Sequence, residues 1–404
     1  MKHGALIDTL LEHGPTSRIE LSRLTSARQP TITRWINELI EAGLVVEVGQ
    51  EHDNNGMGRP RSLIDLNADA GYVVALHIGE RQVKAGLVNL KGKVVYQEIF
   101  RSEAADPPFA AHVLEEAIKA TRAVLSRRTW PGSLLGVGVS TAGIFDPGSG
   151  AIGIHSFTKG CVGLVPVREL LARNFGEPIE IDTDNWAIAI AERLFGSRFN
   201  NFILIIVDEG IGAAAVLNGR VFKGKGYAGE IGHLPVHIVP GVAQTAFVCP
   251  FCGQRSCLSC WVCTKNILAK IRQATGIGTL EEVLVAAADR KQPLVEAIFA
   301  ETAEALASVC VPIVDMLHPD AVVLVGPIIS EPDVVRRVQD YLQVHSFAAS
   351  RGIKVMASEL GADSELIGAA GLVFNKLLGA DLELQAGRGW AHAVNKVKEV
   401  KRWA

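Results

Sequence analysis

Apolar positions in the first 66 residues recur at helical spacing in short bursts. Ala5, Leu6, Thr9 and Leu10 define a first helix that Gly14-Pro15 ends. Ser17 followed three residues later by Glu20 is a capping-box pattern, opening a helix expected to bury Ile19, Leu21 and Leu24. Pro30 suits the first turn of a third helix with a core face of Ile32, Trp35, Ile36, Leu39 and Ile40, and Gly43 suits its C-terminal end. LVVEV, a polar turn from Gln50 to Gly58, and RPRSLIDL then read as two short strands around a loop. The pattern predicts a mostly helical winged helix-turn-helix over residues 1–66.

After Asn67 the period changes. YVVALHIG, AGLVNL and KVVYQEI are strand-like, and PFAAHVLEEAIKATRAVLSRR is helical. LLGVGVS, a helix near Val167 to Asn174, IEIDTD, a helix from Asn185 to Phe195, NFILIIV, AAAVLNG and a late AVVLVG repeat the alternation. Strand meanders mixed with crossover helices predict a two-lobed α/β domain over residues 67–404. The expected lobes are about 70–190 plus a C-terminal helix, and about 191–380. Ligands in such folds bind at strand ends in the cleft between lobes.

Composition narrows the class. Hydrophobic residues make up 48% and charged residues 21% of 404 positions, ordinary values for a globular chain. No uninterrupted apolar run reaches the ~18 residues that span a bilayer, and Asp8 and Glu12 interrupt the first apolar stretch. The expectation is a cytoplasmic protein without a membrane partner. Net charge of -3 gives no overall attraction to nucleic acid. Locally, Arg18, Arg23, Arg28 and Arg34 stand against Glu20 alone between Pro15 and Asn37. A helix-turn-helix offers the N-terminal residues of its second helix to base edges. The candidates are Arg28, Gln29, Thr31, Thr33, Arg34 and Asn37, with Arg59 and Arg61 placed where a wing meets the backbone. The implied partner is a double-stranded DNA operator, bound by a homodimer or homotetramer that multiplies modest contacts. The basic positions after Gln385 (Arg388, Lys396, Lys398, Lys401, Arg402) read as a solvated terminal helix.

Five of the seven cysteines, Cys249, Cys252, Cys257, Cys260 and Cys263, fall within fifteen residues. Cys249-Pro-Phe-Cys252-Gly253 reads as a zinc knuckle, because two thiolates three apart chelate one ion and Gly supplies the tight turn.

The run ARQPTITRWINELIEAGLVVEVG and the later Gly58-Arg59-Pro60 resemble the winged-helix segment of the ROK family (repressors, uncharacterised frames and kinases), in particular its N-acetylglucosamine/xylose repressor type. With the motifs that follow, the resemblance covers nearly the whole chain. It implies an actin-like, sugar-kinase-like (ribonuclease-H-like) fold after the winged helix. It also implies a closed structural Zn2+ site from His233, Cys249, Cys252 and Cys257, by similarity to Cys-x-Cys-Gly-x-x-Gly-Cys plus the His of Glu-x-Gly-His. The first cysteine lies one residue further out than in that pattern, and Ser256 replaces its second glycine. An all-cysteine site using Cys260 without His233 is therefore also open. AGEIGH (Ala228 to His233) resembles the family's sugar-binding signature, and Asp184, before AIAIAERLFG, matches the kinases' general base. Asp184, Glu230 and His233 are the implied contacts to a sugar-like effector. Thr183 and Ser259 replace two further family contacts.

The phosphate motifs have changed. Asp-x-Gly-x-Thr has become His77-Ile78-Gly79-Glu80-Arg81, and the second loop reads Val207-Asp208-Glu209-Gly210-Ile211-Gly212. Leu324-Val325-Gly326-Pro327 also deviates at the nucleotide side. Carboxylates repel polyphosphate: one like-charge contact at ~4 Å and a dielectric of ~20 costs ~4 kcal/mol. The expectation is a transcriptional regulator with an effector-binding domain, no kinase activity, no catalytic residues and no bound ATP. The alternative is a ROK sugar kinase with an appended winged helix.

Overall fold

The computed structural model describes residues 4–51, 60–79, 82–101, 107–126, 130–146, 148–156, 160–176, 178–236, 248–249, 252–289 and 292–378. Arg59, Glu80, Arg81 and the basic positions after Gln385 lie outside them. The chain divides into two compact units. One comprises Met1–Ile154, Val162–Arg198 and Ala362–Ala404; the other comprises His155–Cys161 and Phe199–Gly361.

The first unit begins with α1 (Gly4–His13), β1 (Thr16–Ser17), α2 (Arg18–Leu24), α3 (Gln29–Glu41), β2 (Val45–Glu51) and β3 (Arg61–Leu66). The three strands form an antiparallel sheet in the order β1-β3-β2. Gly14 ends α1 at φ 66, a left-handed angle that costs glycine little. The Ser17 Oγ caps α2 by accepting from the Glu20 amide at 3.3 Å. Expected burial on α2 holds for Leu21 only: Ile19 and Leu24 are 39% and 40% exposed. Ile19 and Leu21 stand two residues apart, about 200° around a helix, so they cannot share one face; Leu24 is the helix's last residue. On α3 Ile32, Ile36 and Leu39 are buried, and Trp35 and Ile40 pack partly against the same core.

This core does not stop at residue 66. Leu6, Leu10, Leu44 and Leu66 belong to one apolar cluster with Val73, Leu90, Leu194 and Phe374. Ile7, Leu11, Phe195 and Phe374 line a small apolar pocket along that seam. Arg198 donates to the Leu11 carbonyl, and Lys91 pairs with the buried Asp65.

The larger sheet of this unit contains β4 (Gly71–Ile78), β5 (Gln82–Asn89), β6 (Val94–Arg101), β7 (Ser133–Thr141) and β11 (Ile179–Thr183), ordered β11-β7-β4-β5-β6. α4 (Pro107–Ser126) and α5 (Val167–Ala172) lie between its strands in sequence, with a small sheet of β8 (Ile144–Asp146), β9 (Ala151–Ser156) and β10 (Gly160–Val165). α6 (Asp184–Phe195) and the last described helix, α12 (Ser364–Leu378), pack together. α12 lies directly on β7. A Cβ on Gly138 would stand 1.9 Å from the Ala369 carbonyl oxygen, so the alternation Gly136, Gly138, Ser140 makes the groove that seats the helix. Val137 and Val139 face the opposite core, with Leu114 and Ile118 of α4.

The second unit has β12 (Phe202–Val207), β13 (Ile211–Leu217), β14 (Arg220–Phe222), β15 (Ala321–Val325) and β16 (Lys354–Ala357), ordered β14-β13-β12-β15-β16. Its helices are α7 (Leu258–Val262), α8 (Thr264–Thr275), α9 (Leu280–Asp289), α10 (Pro293–Leu317) and α11 (Pro332–His345). α10 is 25 residues long and apolar enough to cross a membrane by length and composition. Its Val295, Phe299, Ala303, Leu306 and Cys310 are buried in this unit's core.

Candidate metal centre and neighbouring sites

Four predicted ligands converge. His233, Cys249, Cys252 and Cys257 offer ligand atoms that all lie within 4.8 Å of one another. The chain reaches this arrangement through two local devices. Cys249 to Gln254 close a knuckle: the Gly253 amide donates to the Cys249 carbonyl at 2.8 Å, the Cys249 amide donates to the Gln254 carbonyl at 2.9 Å, and Gly253 takes φ 69. Cys257 is then held beside the segment after His233, since the Val236 amide donates to the Ser256 carbonyl at 2.8 Å and the Leu258 amide to the Leu234 carbonyl at 2.9 Å. The donor set, three sulfurs and one nitrogen, suits tetrahedral zinc, whose bonds of about 2.0–2.3 Å need ligands at such separations. His233 Nδ1 stands 3.6 Å from the Cys249 Sγ, so the ring turns Nδ1 toward the sulfurs.

His233 ends a short 3-10 turn, Ile231–His233, that starts after Glu230. Gly232 is wedged: a Cβ there would meet the Ser259 Oγ at 2.5 Å and the Ile211 carbonyl oxygen at 2.7 Å. The Glu230 side chain reaches the surface, yet its surroundings desolvate the carboxyl and hold it above the ordinary carboxylate range, with His233 pulling the other way. Cys260, the alternative ligand, is fully buried with its Sγ 3.4 Å from the Cys257 Sγ.

In the first unit Asp184 is the first residue of α6, where a carboxylate meets the positive end of the helix dipole. Its Oδ1 accepts from the Asn185 amide at 2.7 Å, and the side chain is half-buried. Trp186 is buried at 6% exposure. At the N-cap of α3 Arg28 is exposed; on the helix Gln29, Thr33, Arg34 and Asn37 are exposed and Thr31 is half-buried. Arg61, half-buried, opens β3.

The three altered phosphate segments are also in view. Asp208, Glu209 and Gly210 form the tip of the β12–β13 hairpin, closed by the Val207–Ile211 pair. Gly326, at φ 145, lies so close to that hairpin that a Cβ would stand 2.0 Å from the Val207 carbonyl oxygen. His77 belongs to a polar row that sequence reasoning missed. The strand register aligns Lys84, His77, Ser140 and Asp182 across β5, β4, β7 and β11. Glu365, in the first turn of α12, covers the row: it pairs with Lys84, and its Oε1 lies 3.7 Å from the His77 Nε2. The Ser140 hydroxyl donates to the Glu365 carbonyl at 3.0 Å and so accepts from the His77 Nδ1–H at 3.1 Å. Burial pushes the His77 imidazole below its ordinary value; the Glu365 charge opposes this and Lys84 adds to it. The only sequence signal was one polar residue near the end of each strand run, which no local pattern connects to the others.

The ROK family profile matches residues 73–376. The xylose repressor of Caldicellulosiruptor bescii is 23% identical over 392 residues, 92% of this chain and 95% of that protein. Among solved structures, a ROK family transcriptional regulator described as a homologue of the Escherichia coli Mlc protein superposes with a TM-score of 0.68 at 21% identity, covering 92% of this chain and 95% of that one. A ROK hexokinase from Thermus thermophilus superposes with a TM-score of 0.55 at 23% identity, covering 75% of this chain and 98% of its own. The sheets and helices from β4 onward thus have the actin-like, sugar-kinase-like α/β fold, and this chain belongs to the ROK family.

Proposed function

We propose that the chain is a sequence-specific transcriptional regulator that binds double-stranded DNA as a homo-oligomer in the cytoplasm, reads its operator through α3, and responds to a sugar-like effector without phosphorylating it. The observation that carries the reading is the exposed N-terminal part of α3: Arg28 at its N-cap, Gln29 in its first turn, and Thr33, Arg34 and Asn37 are open to solvent on a helix whose Ile32, Ile36 and Leu39 are locked into the core. Arg pairs with guanine and Asn with adenine in the major groove. The first 66 residues are then a winged helix with Arg59 and Arg61 on its wing. That the repressor and regulator similarities run over 92% of the chain supports this assignment. His233, Cys249, Cys252 and Cys257 hold structural zinc, fixing the turn that carries Glu230. Asp184, Glu230 and His233 contact the effector; with zinc on Nδ1, His233 keeps Nε2 for a hydroxyl.

Against kinase activity stand the acidic hairpin tip at Asp208 and Glu209 and the Lys84–Glu365–His77 cluster where a magnesium-binding carboxylate is expected. Phosphoryl transfer depends on positioning and charge neutralisation, and both are reversed here. The test selects duplexes from a random pool with the full-length protein, then measures affinity for the winning site. Asn37→Ala lowers specific affinity about 10- to 100-fold, as one lost bidentate base contact of about 1–3 kcal/mol predicts, and leaves binding to random duplex unchanged. No selected sequence, or sugar-dependent ATP turnover in a coupled assay, overturns the reading.

A further inference from the structure

The metal centre has more sulfur around it than four-coordination uses. Cys257 is the N-cap of α7 and Cys260 its third residue; the Cys260 amide donates to the Cys257 carbonyl at 2.9 Å, and the two Sγ atoms are 3.4 Å apart. N-cap and third-residue side chains share the first turn, the relation that lets a capping box close. Shortening that gap to a bond of about 2.05 Å needs side-chain rotation and no unwinding of the turn. Cys260 also touches the Gln254 carbonyl at 3.5 Å, so it backs the knuckle without being one of the four converging ligands. Cys252 is the exposed member of the set, whereas Cys249, Cys257, Cys260 and Cys263 are buried.

We propose that Cys257 and Cys260 are a redox modification site, joined as a disulfide by a hydroperoxide oxidant with release of the zinc; this rests on the zinc reading above. Exposed Cys252 is the entry point, since oxidation follows thiolate character and access. Its thiolate attacks a peroxide oxygen, the O–O bond breaks, hydroxide leaves, and Cys252 becomes a sulfenic acid. The Cys257 thiolate, with its Sγ within 4.8 Å, attacks the Cys252 sulfur and expels a second hydroxide. Cys260 yields its proton to a hydroxide, attacks the Cys257 sulfur and expels the Cys252 thiolate. In sum, Cys257 and Cys260 lose two electrons, hydrogen peroxide is reduced to one water and one hydroxide that solvent neutralises, and Cys252 returns to its starting state. A zinc held by His233, Cys249, Cys252 and Cys257 would be left with three ligands. Because Ser256 and Leu258 are hydrogen-bonded to Val236 and Leu234, the change reaches the segment that follows His233. Oxidant then weakens effector response.

The experiment treats full-length, zinc-loaded protein with hydrogen peroxide. It follows zinc with a chromogenic chelator and maps oxidised cysteines by alkylating free thiols, reducing, and labelling with a second reagent. One zinc should be released per disulfide, with the second label on Cys257 and Cys260, and reductant plus zinc should restore the starting state. C260S should bind one zinc and still lose it under peroxide, but with the second label held on Cys252 and Cys257, because the exchange step has no attacking thiol; C260A checks that the serine itself is not responsible. A second label on Cys263 or Cys249 in place of Cys260 in the native protein, or the absence of label on Cys252 and Cys257 in oxidised C260S, overturns the proposal. Protein that carries no zinc as purified sinks the zinc reading instead, and the same labelling still tests the Cys257–Cys260 disulfide.

Discussion

Replacing Lys84 by Met should weaken the pH dependence of stability that the buried His77 imidazole imposes. The Lys84 and Glu365 side chains are 16% and 19% exposed, so the pair is mostly buried. Removing one partner of such a pair costs about 3 kcal/mol, toward the low end for buried pairs. The consequence for His77 is more diagnostic. Its Nε2 lies 3.7 Å from the Glu365 Oε1. At that distance the carboxylate favours the protonated ring. In the native protein Lys84 offsets that pull, and burial keeps the imidazole neutral. Its titration lies below the ordinary value of 6.5, so the unfolded chain binds the extra proton first. Stability contributed by neutral His77 is therefore present above pH 6.5 and declines as pH falls from 7 toward 5, by at most about 1.4 kcal/mol per pH unit. In Lys84→Met one cause of the lowered His77 value is gone, while burial, the larger cause, and the opposing Glu365 charge remain. The folded value moves toward the unfolded one but stays below it, so stability is still lost as pH falls below 6.5, by a smaller total amount. Thermal unfolding between pH 5.5 and 8.5 should show a smaller acid-side loss for Lys84→Met than for the native protein, and His77→Asn should remove that loss in either background. An acid-side loss as large in Lys84→Met as in the native protein would refute the electrostatic account of this cluster.

Three further outcomes follow from named contacts. Removing zinc with a strong chelator should lower the unfolding temperature and raise proteolytic cleavage near Cys252, because ligand binding to the folded state alone is folding energy; an unchanged melt with all zinc removed contradicts a structural metal. Gly232→Ala places a Cβ 2.5 Å from the buried Ser259 Oγ and 2.7 Å from the Ile211 carbonyl oxygen. It should cost about 1–3 kcal/mol as overpacking and abolish any sugar-induced thermal shift, and a native-like melt and shift would show the turn has slack. Leu66→Ala should destabilise by about 2–5 kcal/mol as a cavity substitution and depress the melting of the N-terminal helices and the β4–β7 sheet together; separate transitions, with only the N-terminal one lowered, would contradict a shared core.

The sequence alone determined most of the elements, because they depend on period and punctuation. Helices α1 to α3, the strand runs and the turns at Gly14 and Gly43 follow from local spacing that neighbouring elements do not overrule. The four converging His and Cys side chains were legible for the same reason: three lie within nine residues, and His233 came through the AGEIGH resemblance. Tertiary structure decided what depends on pairing across the chain. It left exposed Ile19, which points away from the face of Leu21, and Leu24, at the helix end. It joined the apolar stripe of the first 66 residues to Leu90, Leu194 and Phe374, positions whose local pattern gives no hint of that contact. It also assembled Lys84, His77, Ser140, Asp182 and Glu365, which are up to 288 residues apart in sequence, into one row, because strand register and the docking of α12 exist only after folding. Periodicity reports which face of an element is apolar; which partner that face meets is fixed by long-range packing.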